Sequence, residues 1–206
     1  MKRLFAVCVV GLGLMAGVAS AADVAPDVMV KETTNEVLSL IKQDKELASN
    51  HKKLLALIDA KVLPHFDFAR MTRIAVGRYW REATPEQQAR LVGEFRALLV
   101  NTYSGAIGSY KNQVFDFLPL RAAPSDTDVT VKAKIVQQGR EAIPLDYAIY
   151  KTPAGWKVYD ISVDGVSLLV NYRSSFSQEI QSGGIERLIK SLADKNAQIS
   201  AGNGKH

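Results

Sequence analysis

The chain has 206 residues, 47% of them hydrophobic, with 26 Lys and Arg set against 21 Asp and Glu for a formal charge of +5. Its basic residues are scattered among acids rather than clustered, which excludes the basic stripe of a nucleic-acid binder and leaves room only for a weak attraction to anionic membrane surfaces. One cysteine excludes a disulfide-stapled scaffold, so stability has to come from a core.

Lys2 and Arg3 precede an apolar stretch from Leu4 to Val18 that ends in Ala19-Ser20-Ala21, the pattern of a secretory signal peptide cut after Ala21. The apolar stretch is too short for a comfortable membrane span. Cys8 lies inside it without a lipoprotein setting and is expected to be discarded with it. Removal of residues 1–21 leaves 185 residues, enough for one domain over 22–195, with 24 basic against 21 acidic residues, a balance of +3. The expected product is an exported protein.

From Pro26 to about Tyr110 the sequence reads as helices. Val30, Thr34, Val37 and Ile41 repeat at helical spacing, as do Leu54, Leu57, Ile58 and Val62 before Pro64 interrupts them. A third helix is expected from Asp67 to Trp80. The clearest start signal follows in "ATPEQQARL", with Thr84 as N-cap, Pro85 at the first helical position and Gln87 completing a capping box. The apolar arc of this fourth helix covers about half its circumference, wider than a surface helix needs. It reads either as a central core helix or as one that also lines a ligand cavity.

After Tyr110 the period changes to two. Residues 114–120, 128–136, 141–152 and 155–163 are four strand candidates joined by short turns, hence antiparallel neighbours. In the second, Thr130, Lys132 and Lys134 face water, whereas the third has Ile143, Leu145, Tyr147 and Ile149 on one face and a fairly apolar Ala148 and Tyr150 on the other. Helices at about Val166–Gln181 and Gly184–Asp194 close the domain, and 196–206 reads as a mobile tail. The expected fold is α+β: N-terminal helices and closing C-terminal helices packed on a curved four-stranded antiparallel sheet. No coiled-coil or self-pairing pattern is present, so a monomer is expected.

The stretch "DISVDGVSLLVNYRSSF" (160–176) holds the chain's polar anomalies. Asp160 and Asp164 would lie roughly 13 Å apart along a strand, beyond the reach of a working carboxylate pair. Asp164-Gly165 is expected to make a turn, with Asp164 capping the next helix. Arg173 projects from the middle of an arc formed by Val166, Leu169, Val170, Phe176 and Ile180, so it is either one half of a structural ion pair with Asp160 or another acid, or a phosphate contact at the mouth of an apolar cavity. Tyr172 points elsewhere, as packing or as a mouth residue. His65 and Asp67 offer two metal ligands without a third, and no nucleophile, base or phosphate-cradling motif is present; no metal, catalytic residue or cofactor is expected.

The segments at 62–103 and 155–180 resemble the MlaC family of periplasmic phospholipid-binding proteins, also called toluene-tolerance proteins. The resemblance rests on Pro-x-Phe-Asp-Phe from Pro64, Gly-x-x-Trp from Gly77, Thr-Pro-Glu-Gln from Thr84, and Asp-Gly-Val-Ser-Leu-x-x-Asn-Tyr-Arg-x-x-Phe from Asp164, in that order. It implies a lipid carrier of the Gram-negative periplasm that moves glycerophospholipid between an outer-membrane lipoprotein–porin complex and an inner-membrane ABC transporter with MCE-domain subunits. Acyl chains would lie in an apolar cavity between helices and sheet. The lining residues expected on that basis are Val76, Trp80, Phe95, Leu99, Tyr103, Ile107, Tyr147, Ile149, Val158, Ile161, Val166, Leu169, Val170 and Phe176, each with plain core as its alternative, and Arg173 and Tyr172 are expected at the head group or mouth. Two rivals remain at this point: a small isomerase or dehydratase using Asp146-Tyr147 or Asp160, and a ligand-free periplasmic adaptor.

Overall fold

The computed structural model describes residues 24–109 and 113–203. The expected signal peptide with Cys8, the end of the fourth helix at Tyr110 and the last residues of the expected tail lie outside the described residues.

Helix α1 (Pro26–Gln43) starts with Pro at its first turn and buries Val30, Val37 and Ile41. A short α2 (Lys45–Ser49) leads to α3 (His51–Lys61), whose N-cap Asn50 accepts from the Lys53 amide at 3.1 Å. In α4 (Phe68–Val76) the cap is Asp67, which accepts from the Arg70 amide at 2.8 Å. The α-helix stops at Val76, short of the expected Trp80, because Gly77 takes φ 64 and ψ −132, a conformation that side-chain-bearing residues avoid. A 3-10 turn (Gly77–Arg81) carries the chain onward.

Helix α5 (Pro85–Gly108) forms its capping box as read: the Gln87 amide donates to Thr84 Oγ1 at 3.2 Å and the Thr84 amide to Gln87 Oε1 at 3.0 Å. Its broad arc serves two layers. Leu91, Phe95, Leu98 and Leu99 enter a helical core shared with α4 and the C-terminal helix, whereas Val100 and Ile107 pack with Val37, Ile41, Leu54 and Ile58 of α1 and α3.

The sheet is antiparallel in the order β1 (Val114–Phe117), β2 (Asp128–Val136), β3 (Ile143–Thr152), β4 (Gly155–Val163), β5 (Val166–Ser167). The fifth strand was not expected. Asp164 (φ 51) and Gly165 (φ 77) both take positive φ, the two-residue hairpin geometry that matches strand twist, so Val166 folds back to pair with Val163 instead of starting a helix.

Helix α6 (Leu168–Asn203) is two helices joined at Gly183-Gly184, where Gly184 has φ 78. Its second half runs well past Asp194. Leu188, Ile189, Leu192 and Ile199 keep one stripe on the helical core, and Asn196, 8% exposed, donates from Nδ2 to the Glu94 carbonyl (3.0 Å) and Oε2 (2.8 Å). The expected tail from 196 is therefore helical to Asn203.

One histidine makes stability depend on pH. Burial, helped by Lys157, lowers the pKa of His65 below its ordinary value, against an opposing pull from Glu36. The folded state thus prefers the neutral ring, while the unfolded chain takes up a proton near pH 6.5. The contribution is full above that pH and is lost as pH falls through 6.5 and then the lower folded value. Urea midpoints at pH 8 and 5 should fall further for the native sequence than for His65→Gln, and equal drops would assign the pH dependence to other groups.

Candidate functional site

The strand registers turn the sequence alternation into rows. Val129, Ile149 and Val158 are partners across β2, β3 and β4; Val131, Tyr147 and Ile161 form the next row; Phe117, Ala133, Leu145, Val163 and Val166 run across all five strands; Phe115, Ile135 and Ile143 come last. Cross-strand partners share a face, so one side of the sheet is an unbroken apolar surface. The opposite face carries Thr130, Lys132, Lys134 and Asp146 toward water, with a Lys132–Asp146 ion pair at 3.0 Å.

Coverage of the apolar face is graded. Met29 and Val30 of α1 close one end, and Thr34 meets the Tyr147 hydroxyl. Along β3 the exposure rises from 0% at Ile149 to 8% at Leu145 and 44% at Ile143; along β4 it rises from 3% at Val158 to 37% at Val163, and Val166 beyond the hairpin reaches 61%. The surface is sealed at one end and open at the other. Burial pushes the Tyr147 hydroxyl far above its ordinary pKa, so it stays a neutral donor and supplies no base.

Neither candidate carboxylate enters this face. Asp146 is on the solvent side, and Asp160 pairs with Ala148 on that same side. Asp160 is occupied: it accepts from the Ile161 amide (2.8 Å), the Leu169 amide (3.3 Å) and the Ser167 hydroxyl. Ser167 Oγ in turn accepts from the Val170 amide at 3.1 Å. These two residues cap α6, correcting the expectation that Asp164 does so; with φ 51 at the hairpin tip, Asp164 is a strand position away from the helix start. Asp160→Ala should lower stability by about 1–3 kcal/mol through the orphaned amides. A shifted urea midpoint with unchanged ligand content checks it. Among the described residues, no three His, Cys, Asp or Glu side chains are placed to hold a metal ion, and His65 stands beside an Asp67 that already caps α4 and accepts the Tyr150 hydroxyl.

The fourteen residues expected to line a cavity divide among three places and the surface. Val76, Phe95, Leu99, Leu169 and Phe176 are buried in the helical core, with Trp80 against it. Tyr147, Ile149, Val158 and Ile161 belong to the apolar sheet face, and Ile107 packs with α1 and α3. Tyr103, Val166 and Val170 are exposed, at 36%, 61% and 66%. Tyr172 sits edge-on to Phe95 at 5.1 Å and tilted against Phe176 at 5.6 Å, its hydroxyl pushed up to about 12, chiefly by burial.

Arg173 is not buried. The inward stripe of α6 is Leu169, Tyr172, Phe176 and Ile180; of the arc expected around Arg173, Val166 is in a strand and Val170 faces out. Its guanidinium lies on Gly77, and among the described residues no carboxylate pairs with it. Ile143 and Val163 at the open end, and the central Ala133 and Leu145, share this face and are not among the fourteen; the alternation puts Ile143 and Leu145 on one face of β3, and the register adds Ala133 and Val163 in the row of Leu145. A separate cleft of about 320 Å³ between α3 and α5, floored by Leu55, Leu63 and Val100 with the Arg96–Asp59 pair beside it, contains none of these residues.

Among the described residues, no helix is long and apolar enough to cross a membrane. The family described as "MlaC protein" matches residues 31–194. The chain is 27% identical to the toluene tolerance protein ttg2D of Pseudomonas putida over 161 residues, 77% of this chain and 74% of that one. It is 21% identical to the intermembrane phospholipid transport system binding protein MlaC of Haemophilus influenzae over 181 residues, 86% and 85% of the two chains. In three dimensions it is similar to a phospholipid-binding protein from Ralstonia solanacearum, solved in complex with a phospholipid, with a TM-score of 0.79, 41% identity, and coverage of 84% of this chain and 98% of that one.

Proposed function

The chain belongs to the MlaC family, and from that premise we propose that it binds a glycerophospholipid and carries it between membranes of the Gram-negative periplasm. The acyl chains lie along the apolar sheet face beneath α1, and the head group stays at the open end near Val163 and Val166. The observation that carries this reading is the unbroken set of apolar rows, buried at Ile149 and Val158 and exposed at Ile143, Val163 and Val166. Relatives that are phospholipid binders, one of them solved with its lipid, support it.

Tails dominate retention. At about 0.8 kcal/mol per CH₂, a chain of about sixteen carbons gains on the order of 12 kcal/mol relative to water. Handover to a bilayer or to another apolar tunnel cancels most of that term, so the carrier can hold cargo in water and still release it. An outer-membrane lipoprotein–porin complex and an inner-membrane ABC transporter with MCE-domain subunits are the exchange partners in this reading, and export by the N-terminal segment places the carrier between them. The role asks for no catalytic residue, in keeping with the outward placement of Asp146 and Asp160.

Native mass spectrometry of protein purified without detergent, followed by denaturation and identification of what is released, tests the proposal. Stoichiometric glycerophospholipid is the expected result. A protein that arrives empty and takes up no lipid from vesicles overturns it.

A further inference from the structure

Four arginines gather where α4 ends and α6 passes beside it. Arg173 lies against Gly77, so that a Cβ there would sit 3.2 Å from its Nε and 3.4 Å from its Nη2. Arg73, four residues before Gly77, shares that face of the helix. Arg78 and Arg81 are three apart in the 3-10 turn and project together. The turn is clamped along α6 because the Tyr79 hydroxyl accepts from Arg78 Nη2 (2.8 Å) and from Gln181 Nε2 (3.1 Å).

All four are exposed. Arg70, Arg90, Arg96 and Arg187 each meet a carboxylate at less than 3 Å, but among the described residues none of the clustered four does. Glu82 is near enough to act on Arg78 without pairing with it. On α6, Val170 stands one turn before Arg173, and Val166 and Val163 continue the apolar lip to the open end of the sheet face. Cations without carboxylate partners among the described residues therefore flank exposed valines at the mouth of the apolar surface.

We propose that this surface docks on an anionic lipid bilayer. Phosphate oxygens there would satisfy the guanidiniums, while the valines enter the interface instead of water. The continuity with the apolar face favours a bilayer over an acidic protein, since it brings lipid to the mouth without a passage through water. The purpose of docking rests on the phospholipid-carrier reading, although the binding itself does not require cargo.

The test is co-sedimentation of the purified protein with vesicles of phosphatidylcholine alone and with about 30% phosphatidylglycerol, with lipid content read by mass spectrometry in parallel. Binding should require the anionic lipid and weaken as salt rises from about 0.05 to 0.5 M. Each arginine near the surface contributes about fivefold, so Arg73→Gln, Arg78→Gln and Arg173→Gln together should lower partition on the order of 100-fold. The corresponding Lys variants should retain binding, and circular dichroism checks that all remain folded. Equal binding to neutral vesicles, or binding untouched by the Gln variants, overturns the proposal. A protein that carries phospholipid yet binds no vesicle overturns docking alone and points to a protein partner, whereas one that does neither removes the carrier reading as well.

Discussion

Val163→Asp should yield a folded protein emptied of phospholipid. Val163 faces Leu145 on one side and Val166 on the other, at the open end of the apolar face, and is 37% exposed. In the unloaded protein a carboxylate there keeps much of its hydration, so the fold loses little. Where the head group and the first methylenes of the acyl chains seat at this open end, the same carboxylate gives up part of its hydration and meets the like charge of the lipid phosphate, at a cost on the order of a few kcal/mol. Even about 1.4 kcal/mol of that would lower loading tenfold. Native mass spectrometry should show at least that loss, with a urea midpoint close to the native one, and Val163→Leu should load normally. Full occupancy in a folded Val163→Asp protein would move the cargo off this face.

Much of the fold was legible because its signals are local. Thr84, Pro85 and Gln87 specify a helix start through hydrogen bonds that span three residues, and they form as read. The alternation in β2 put Val129, Val131 and Ala133 inside and the lysines outside, which the burial follows. Asp164-Gly165 was readable as a turn, but its positive φ values, and hence the strand that follows it, depend on pairing with β4. What failed was inference that needed a neighbour. The arc around Arg173 was drawn on an isolated helix, and a helix wheel cannot tell whether Val170 faces a core or the lip of an open surface. The lining list meets the same limit, since Phe95 and Ile149 are equally apolar in sequence and are assigned to different cores only by what packs against them.

That separation has a mechanical consequence. The helical core of α4, α5 and α6 and the sheet core under α1 are distinct clusters, with Phe66 packing against both. A carrier has to open a gap between layers to admit cargo and must keep its fold in doing so. Most large, fully buried side chains, among them Phe95, Met71, Leu91, Leu98, Leu169 and Leu188, belong to the helical cluster, so in the proposed reading the sheet face would exchange α1 contacts for acyl contacts without disturbing them.

Phe95→Ala tests this division, because it should cost about 3–5 kcal/mol of stability, a large share of an ordinary domain's total. Phe95 is 0% exposed and meets both Tyr172 and Phe176 edge-on at 5.1 Å, so truncation opens a cavity and removes two aromatic contacts at once. Urea unfolding should show the midpoint falling with its slope unchanged. Phospholipid carried per folded molecule should stay near the native value, since the ring lies in the helical cluster and not on the sheet face. A variant that keeps its stability but loses its lipid would instead place Phe95 in the pocket wall, and would mean that acyl chains run between α5 and α6 rather than along the sheet.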